Sequence, residues 1–159
     1  MGGRIFFVTC NLHRQQPFMD DLGFQALGEA IAGVRKRRKF LITAYVFMPD
    51  HWHALVLPAE NDSLPRCMNA IKVASAQALN RFRGTSGAVW QFRYYDRAVR
   101  TVKEYQDAAR YMHLNPVAKG LVRKPEEWAW SSIHSSGGPG PLHLAVDRLD
   151  LPADETTRL

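Results

Sequence analysis

Two histidines separated by one residue are the first feature of this sequence that could carry chemistry. His51 and His53 flank Trp52 at the start of an apolar run, where a strand would ordinarily carry Val or Ile. Residues two apart in an extended strand point to the same face, so the imidazoles are presented together while Trp52 points away. Such pairs are typical of metal sites, although His-x-His also occurs by chance. The pair therefore predicts a metal site that still needs a further ligand.

A tyrosine and an asparagine further along the chain offer the complementary groups. Tyr111 and Asn115 are four residues apart in a predicted helix. Because an α-helix turns about 100° per residue, the two side chains lie on one face, whereas His113 lies about 200° round from Tyr111. If this helix packs beside the histidine strand, two imidazoles, an amide oxygen and a phenol surround one point.

This combination of groups fits metal-assisted phosphoryl transfer to a tyrosine. A phenol has a pKa of roughly 10 and is a poor nucleophile at neutral pH, so a divalent cation helps mainly by polarising a phosphate oxygen. Attack by Tyr111 would join DNA to the protein and conserve the bond energy for later rejoining. The sequence thus favours reversible strand breakage.

Other tyrosines compete for the role of nucleophile. Tyr45 lies in an apolar run and is expected to be buried. Tyr105 precedes Tyr111 by six residues and therefore points more than about 100° away on the same helix. Tyr94 and Tyr95 belong to an aromatic and basic segment. Tyr111 is the predicted nucleophile.

The elements that must position these groups alternate in a recognisable order. A strand over residues 4–10 precedes a helix from residue 22 to 35, a strand hairpin over residues 41–57 and a helix from Leu64 to Arg83, capped by Ser63 and stopped by Gly84. Part of residues 89–100 is the last strand. This order predicts an α+β fold: a ferredoxin-like antiparallel sheet with helices on one face and the other face open to a ligand.

The third helix and the C-terminal part complete the predicted organisation. Thr101 caps a helix from Val102 to about Leu114, and Asn115-Pro116 is expected to end it. Residues 125–132 predict a short helical turn packed by two tryptophans. The domain is expected to span residues 1–134, followed over residues 135–159 by a Gly/Pro-rich connection and a tail in which residues 142–151 dock weakly.

Composition narrows the class of protein. The chain has 159 residues and a formal charge of +6, which suits one domain with a polyanionic partner. Cys10 and Cys67 are too few for a disulfide framework or a four-ligand zinc site, which suggests a reducing compartment. No apolar run approaches the roughly 20 residues of a membrane span, and the N-terminus does not read as a signal peptide. We expect a cytoplasmic protein with no membrane partner.

Four motifs in order, MPDHWH, VWQFRYYD, YMHLNPVAKGLV and WAWSS, resemble the single-tyrosine HUH transposases, most of all the REP-associated tyrosine transposases. The resemblance covers roughly residues 4–132. It implies the HUH endonuclease fold, in which a ferredoxin-like core is joined by a helix that carries the catalytic tyrosine. It also implies Mg²⁺ or Mn²⁺ held by His51 and His53, with Asn115 where relatives place a polar third ligand. Tyr111 would form a 5′-phosphotyrosine link and leave a free 3′-OH.

The resemblance also implies a substrate, single-stranded DNA bearing a hairpin from a repetitive extragenic palindrome. Cations could contact its phosphates and aromatic rings could stack on unpaired bases. The candidates are Arg4, Arg35, Arg37, Lys72, Trp90, Arg93, Tyr95, Arg97 and Arg100. The alternatives are a solvated helix end for residues 35–39 and burial in the core for the aromatic residues. A monomer and a homodimer both fit.

Two other functions share much of this pattern. A non-catalytic regulator that binds hairpin DNA would keep the fold and the basic surface, but it has no physical need for His51, His53 and Tyr111 together. A rolling-circle-type nicking enzyme would use the same chemistry without mobilising DNA. An RNA-binding protein of ferredoxin-like fold is a more distant alternative, because the chain lacks the aromatic signature of that class.

Overall fold

An antiparallel sheet lies at the centre of the computed structural model, which describes residues 3–136 and 143–159. Its strands are β1 (Ile5–Asn11), β2 (Leu41–Met48), β3 (His51–Leu57) and β4 (Tyr95–Val99). They lie in the order β2-β3-β1-β4, and every neighbouring pair is antiparallel. This order confirms the predicted ferredoxin-like sheet.

Two helices cover one face of the sheet. Helix α1 spans Asp21–Arg38 and helix α2 spans Leu64–Arg83. The carboxylate of Asp20 caps α1. The Ser63 cap and the stop of α2 at Gly84 are as predicted, and Gly84 adopts the left-handed conformation. The side chain of Leu22, where the predicted helix begins, is exposed, and Phe24 packs in the core.

Helix α3 (Val102–Ala118) packs on the opposite face of the sheet. Its buried residues Tyr105, Ala108 and Met112 belong to a second core that includes Val46 of β2 and Leu55 of β3. The predicted capping box forms at its start: the hydroxyl of Thr101 accepts the Glu104 amide at 3.2 Å. In a capping box the Glu104 carboxylate would accept the amide of Thr101. Here it accepts the amide of the preceding residue, Arg100, at 2.7 Å.

The predicted end of α3 is wrong by one turn. Pro116 lies inside the helix, which continues to Ala118. Proline removes one hydrogen bond to the preceding turn, but the helix stays closed beyond it. The amide of Lys119 donates to the carbonyl of Asn115 at 3.0 Å, and the amide of Leu121 donates to the carbonyl of Pro116 at 2.9 Å. The extra turn places Lys119 beside the histidines.

The C-terminal segment covers the free edge of β2. After the 3₁₀ turn Pro125–Glu127, the carbonyl of Trp130 accepts the Phe47 amide at 2.8 Å, and the Ser132 hydroxyl accepts the Tyr45 amide at 2.9 Å. Further along, the carboxylate of Asp147 accepts the Ile42 amide at 2.9 Å. The tail therefore docks through specific bonds. Most of the predicted Gly/Pro-rich connection lies outside the described residues, and the boundary at residues 134 and 135 stays a prediction.

The end of the tail reaches the start of α3. The carbonyls of Thr157 and Glu155 accept the amides of Val102 and Lys103 at 3.0 and 2.9 Å. These bonds satisfy amides that a helix leaves unpaired in its first turn. Among the described helices, none has both the length and the apolar character needed to cross a bilayer.

We expect Asp147→Ala to lower the free energy of unfolding by about 1–3 kcal/mol, because the buried amide of Ile42 loses its acceptor. The variant also loses the ion pair between Asp147 and Arg35, at 3.6 Å. Urea unfolding followed by circular dichroism measures the difference, and Asp150→Ala, three residues on and exposed, is the matched control. Equal midpoints for the two variants would show that the tail contributes little to stability.

Candidate active site

His51 and His53 share one face of β3, as their spacing predicts. Their ring centroids are 4.8 Å apart, while Trp52 points to the other face and is buried in the core with α1 and α2. The histidines thus face α3. The hairpin turn at Pro49-Asp50 places His51 at the first position of the inner strand β3, and His53 lies two residues further along it.

A neighbouring oxygen holds the Nδ1 atom of each imidazole. Thr9 of β1 pairs with His53 of β3, and its hydroxyl lies 2.8 Å from His53 Nδ1. The carboxylate of Asp50 lies 2.7 Å from His51 Nδ1. Metal-binding histidines are typically oriented in this way, with one ring nitrogen fixed by a hydrogen bond and the other left for the ion. Both Nε2 atoms are therefore the nitrogens available to a shared ligand.

Helix α3 brings the predicted partners to these rings. The ring centroids of His53 and Tyr111 are 5.6 Å apart, and the Asn115 amide nitrogen lies 3.5 Å from His53 Nε2. The Asn115 side-chain oxygen is buried and has no hydrogen-bond partner within residues 3–136 and 143–159. Rotation of the Asn115 side-chain amide by 180° exchanges its oxygen and nitrogen. In that orientation the amide oxygen and His53 Nε2 could contact the same ligand.

The environment keeps His53 uncharged. Burial is the main cause that lowers its pKa to about 4, and the neighbouring His51 adds to this effect. A neutral imidazole can bind a cation without first losing a proton. The donor set of two imidazoles and one unpartnered amide oxygen therefore suits a divalent ion that also keeps water or phosphate oxygens.

Tyr111 lies between two clefts that share His53 and Thr9. The metal-side cleft, of about 470 Å³, is lined by His51, Asn115 and Lys119 among others. The β4-side cleft, of about 460 Å³, is lined by Phe7, Tyr95 and Arg97. The phenol side chain is 56% exposed, so a substrate in either cleft can reach it.

An aromatic stack supports the tyrosine and the buried histidine. The Phe7 ring stacks on His53 with centroids 5.1 Å apart and meets Tyr111 edge-on at 6.0 Å. The Arg97 guanidinium lies 5.6 Å from the centroid of the same Phe7 ring. His113, as predicted, faces away from this group and contacts the hydroxyl of Ser132 at 2.9 Å.

The predicted DNA-contact residues fall in several places. Tyr95 and Arg97 line the β4-side cleft next to Tyr111, and Arg93 and Arg100 are exposed at either end of β4. Arg4 lines a separate cleft of about 600 Å³ near the N-terminus of α2. Arg37 is exposed at the C-terminal end of α1, on the far face of the sheet.

Three of those residues are engaged within the chain. Base stacking by Trp90 is wrong, because its ring is buried and its indole N–H donates to Ser75 at 2.9 Å. Arg35 is engaged by the tail, through Asp147 and the carbonyl of Ala145. The ammonium of Lys72 donates to the carbonyls of Gln91 and Phe92 at 2.8 and 2.7 Å. These cations have internal partners, so we assign both a structural role.

Sequence reasoning missed Thr9, Asp50 and Phe7. Thr9 is a polar residue on the face of β1 that is otherwise apolar at Ile5 and Phe7, and that break in the alternation was the available signal. Asp50 adjoins His51 in the chain, but the turn pattern gave it a backbone role only. Phe7 carries no signal, because a strand phenylalanine in the core and one beside a site look alike.

Comparisons with known proteins identify several similar transposases. The family model described as IS200-like transposase matches residues 3–115. A REP-associated tyrosine transposase from Escherichia coli K12 is 30% identical over 96% of this chain and 92% of its own length. A solved REP-associated tyrosine transposase bound to a REP hairpin aligns over 100% of this chain and 94% of that chain, with TM-score 0.74 and 28% identity. A Deinococcus radiodurans R1 structure aligns at TM-score 0.55 and 15% identity over 76% of this chain and 92% of that one, which supports the fold alone.

In the protein freed of metal by a chelator, we expect His53 to titrate near pH 4. In the unfolded chain a histidine takes up its proton at about pH 6.5. Between about pH 6.5 and 4 the folded protein therefore binds fewer protons than the unfolded chain, and its stability falls as the pH is lowered through this range. Histidine-selective NMR measures the pKa, and His53→Asn identifies the signal. A pKa at or above the usual value for histidine would contradict the burial of this ring.

Proposed function

This chain belongs to the IS200-like transposase family, and on that premise we propose that it cleaves and rejoins single-stranded DNA beside a REP-like hairpin. The E. coli relative is a REP-associated tyrosine transposase, and the solved relative is bound to a REP hairpin. The observation that carries the proposal is the contact between Tyr111 and His53 on the α3 face of the sheet, with ring centroids 5.6 Å apart. The function rests on that juxtaposition.

Mg²⁺ or Mn²⁺ is the proposed cofactor. His51 Nε2, His53 Nε2 and the Asn115 side-chain oxygen would hold it, since Asp50 and Thr9 already engage the other ring nitrogens and the amide oxygen is unpartnered among the described residues. A bound divalent cation would polarise the scissile phosphate and offset the charge that develops on it.

Tyr111 is the proposed nucleophile. Its phenolic oxygen attacks the phosphorus, a bond forms between them, and the bond from phosphorus to the 3′ oxygen breaks. The phenol gives up its proton to solvent and the departing 3′ oxygen takes one up, so the step needs no oxidant or reductant. The product is a 5′-phosphotyrosine and a free 3′-OH, and attack by a 3′-OH reverses the step. The exposed position of Tyr111 suits this exchange of strands.

One chain supplies every residue of the proposed centre. His51 and His53 come from β3, and Tyr111 and Asn115 come from α3 of the same molecule. A monomer is therefore sufficient for the chemistry, and a homodimer would be needed only to bring two DNA ends together. Arg97 and Tyr95, beside the tyrosine, are the proposed contacts for the DNA next to the cleaved bond.

We expect Tyr111→Phe to abolish covalent attachment to a labelled hairpin oligonucleotide while its Kd changes less than about threefold, because only the attacking oxygen is lost. Denaturing gels measure attachment. Tyr95→Phe is the matched control, since Tyr95 is similarly exposed and lines the same cleft as Tyr111. Attachment that survives Tyr111→Phe and disappears in Tyr95→Phe would assign the nucleophile to Tyr95.

The same experiment separates the alternative functions. A hairpin-binding regulator would bind the oligonucleotide but form no adduct in the wild-type protein. A nicking enzyme of the rolling-circle type would form the adduct but fail to join a second strand. Adduct formation followed by transfer to an added 3′-OH strand supports the transposase.

We expect Thr9→Val to weaken Mn²⁺ binding by about 10–100-fold, because His53 loses the hydroxyl that orients its ring. Calorimetry with Mn²⁺ in the absence of DNA provides a readout separate from activity. Thr85→Val, in the exposed loop after α2, is the control and should leave the affinity unchanged. Equal affinity for the two variants would remove His53 from the proposed ligand set.

A further inference from the structure

Phe18 is an exposed aromatic residue at the edge of the metal-side cleft. Its side chain is 73% exposed, yet it lines the cleft that also contains His51, His53 and Tyr111. A single exposed apolar side chain on a protein surface is ordinary. Its position next to the proposed reaction centre, however, makes the ring a candidate for contact with substrate.

The backbone on both sides of Phe18 is held in place. The amide of Met19 donates to the carbonyl of Pro49 at 2.8 Å, in the same turn that carries Asp50 and His51. On the other side, Arg83 donates to the carbonyl of Pro17 at 3.4 Å and to the side chain of Gln16 at 3.0 Å. Met19 is buried and Asp20 caps α1. The ring of Phe18 is thus presented to solvent by a braced segment.

A cation lies on the same cleft. Lys119 follows Asn115 by four residues and Tyr111 by eight, so the three side chains lie along one side of α3 and its end. Its charge is close enough to His53 to contribute to the lowering of that histidine's pKa. Leu121, 43% exposed, adds apolar surface to the cleft. An exposed ring, an apolar patch and a cation therefore surround the space next to the metal ligands.

We propose that Phe18 and Lys119 form a subsite for one unpaired nucleotide adjoining the scissile phosphate, with the base stacked on Phe18 and the next phosphate bound by Lys119. An aromatic ring and a cation are the groups that single-strand binding uses. A volume of about 470 Å³ accommodates a nucleotide. This inference rests on the proposed function. The nucleotide on one side of the scissile phosphate would bind in the metal-side cleft, and the DNA on the other side would bind in the β4-side cleft, beside Tyr95 and Arg97.

The stacking is tested by binding, in the Tyr111→Phe background so that no cleavage occurs. The probe is a REP-type hairpin oligonucleotide with 2-aminopurine placed at each position of its single-stranded flanks in turn. At one position, binding should quench the fluorescence several-fold. Adding Phe18→Ala should restore the signal and weaken binding about tenfold, whereas Phe82→Ala, an exposed phenylalanine at the end of α2, should do neither.

The phosphate contact is tested by salt dependence. Lys119→Gln should lower the slope of log Kd against log salt by about 0.7, the value for one phosphate contact with a single strand. Lys103→Gln is the matched control, because Lys103 lies sixteen residues earlier on the same helix, about 24 Å away along its axis. An unchanged slope in Lys119→Gln would overturn the role of this lysine.

The outcomes distinguish the subsite from the proposed function. Quenching that depends on Phe18, in a protein whose wild-type form yields no covalent adduct, would support the subsite and refute strand cleavage. Covalent adduct formation by the wild type, with no quenched position or with quenching that persists in Phe18→Ala, would overturn the subsite alone. Failure of the protein to bind the oligonucleotide would overturn both.

Discussion

The packing of α3 across the open face of the sheet is the constraint on which the site depends. Tyr105, Ala108 and Met112 fix the rotation of the helix, because they are buried against β2 and β3. Tyr111 is one residue before Met112 and about 100° round from it, so the same rotation leaves the phenol exposed beside His53. Asn115, one turn further, is buried over the same ring. Apolar contacts thus set the distance between groups that come from distant parts of the chain.

The sheet supplies the two imidazoles of the site, and these replace apolar side chains that would pack better. Two imidazoles occupy positions of β3 that would otherwise hold aliphatic side chains, and burial of His53 disfavours its charged form. Oxygens from Thr9 and Asp50 satisfy one nitrogen of each ring. The side-chain oxygen of Asn115 has no hydrogen-bond partner among the described residues, and a buried polar atom left unsatisfied in this way fits a function better than a role in stability.

Much of the fold and the centre of the site followed from periodicity in the sequence. Alternation placed His51 and His53 on one face, and helical spacing placed Tyr111 with Asn115, because both patterns are local. The end of α3 did not follow, since the continuation past Pro116 depends on bonds and burial that only the folded chain supplies. Trp90 was misjudged for a similar reason: its segment precedes β4 and packs on α2 through Ser75. The break in the apolar alternation of β1 was the only local signal for Thr9, and the proposed role of Phe18 depends on neighbours that are distant in sequence.

Paramagnetic NMR would report whether a bound cation lies beside Tyr111, without requiring DNA or cleavage. Mn²⁺ would be added in substoichiometric amounts to protein carrying ¹³C-labelled tyrosine rings, with Tyr111→Phe to assign the signal. We predict that the Tyr111 resonance broadens at a lower Mn²⁺ concentration than the Tyr45 resonance, because Tyr45 is buried on the far face of the sheet and lies further from the ion. A Tyr111 resonance that remains sharp while Mn²⁺ binds elsewhere would contradict it.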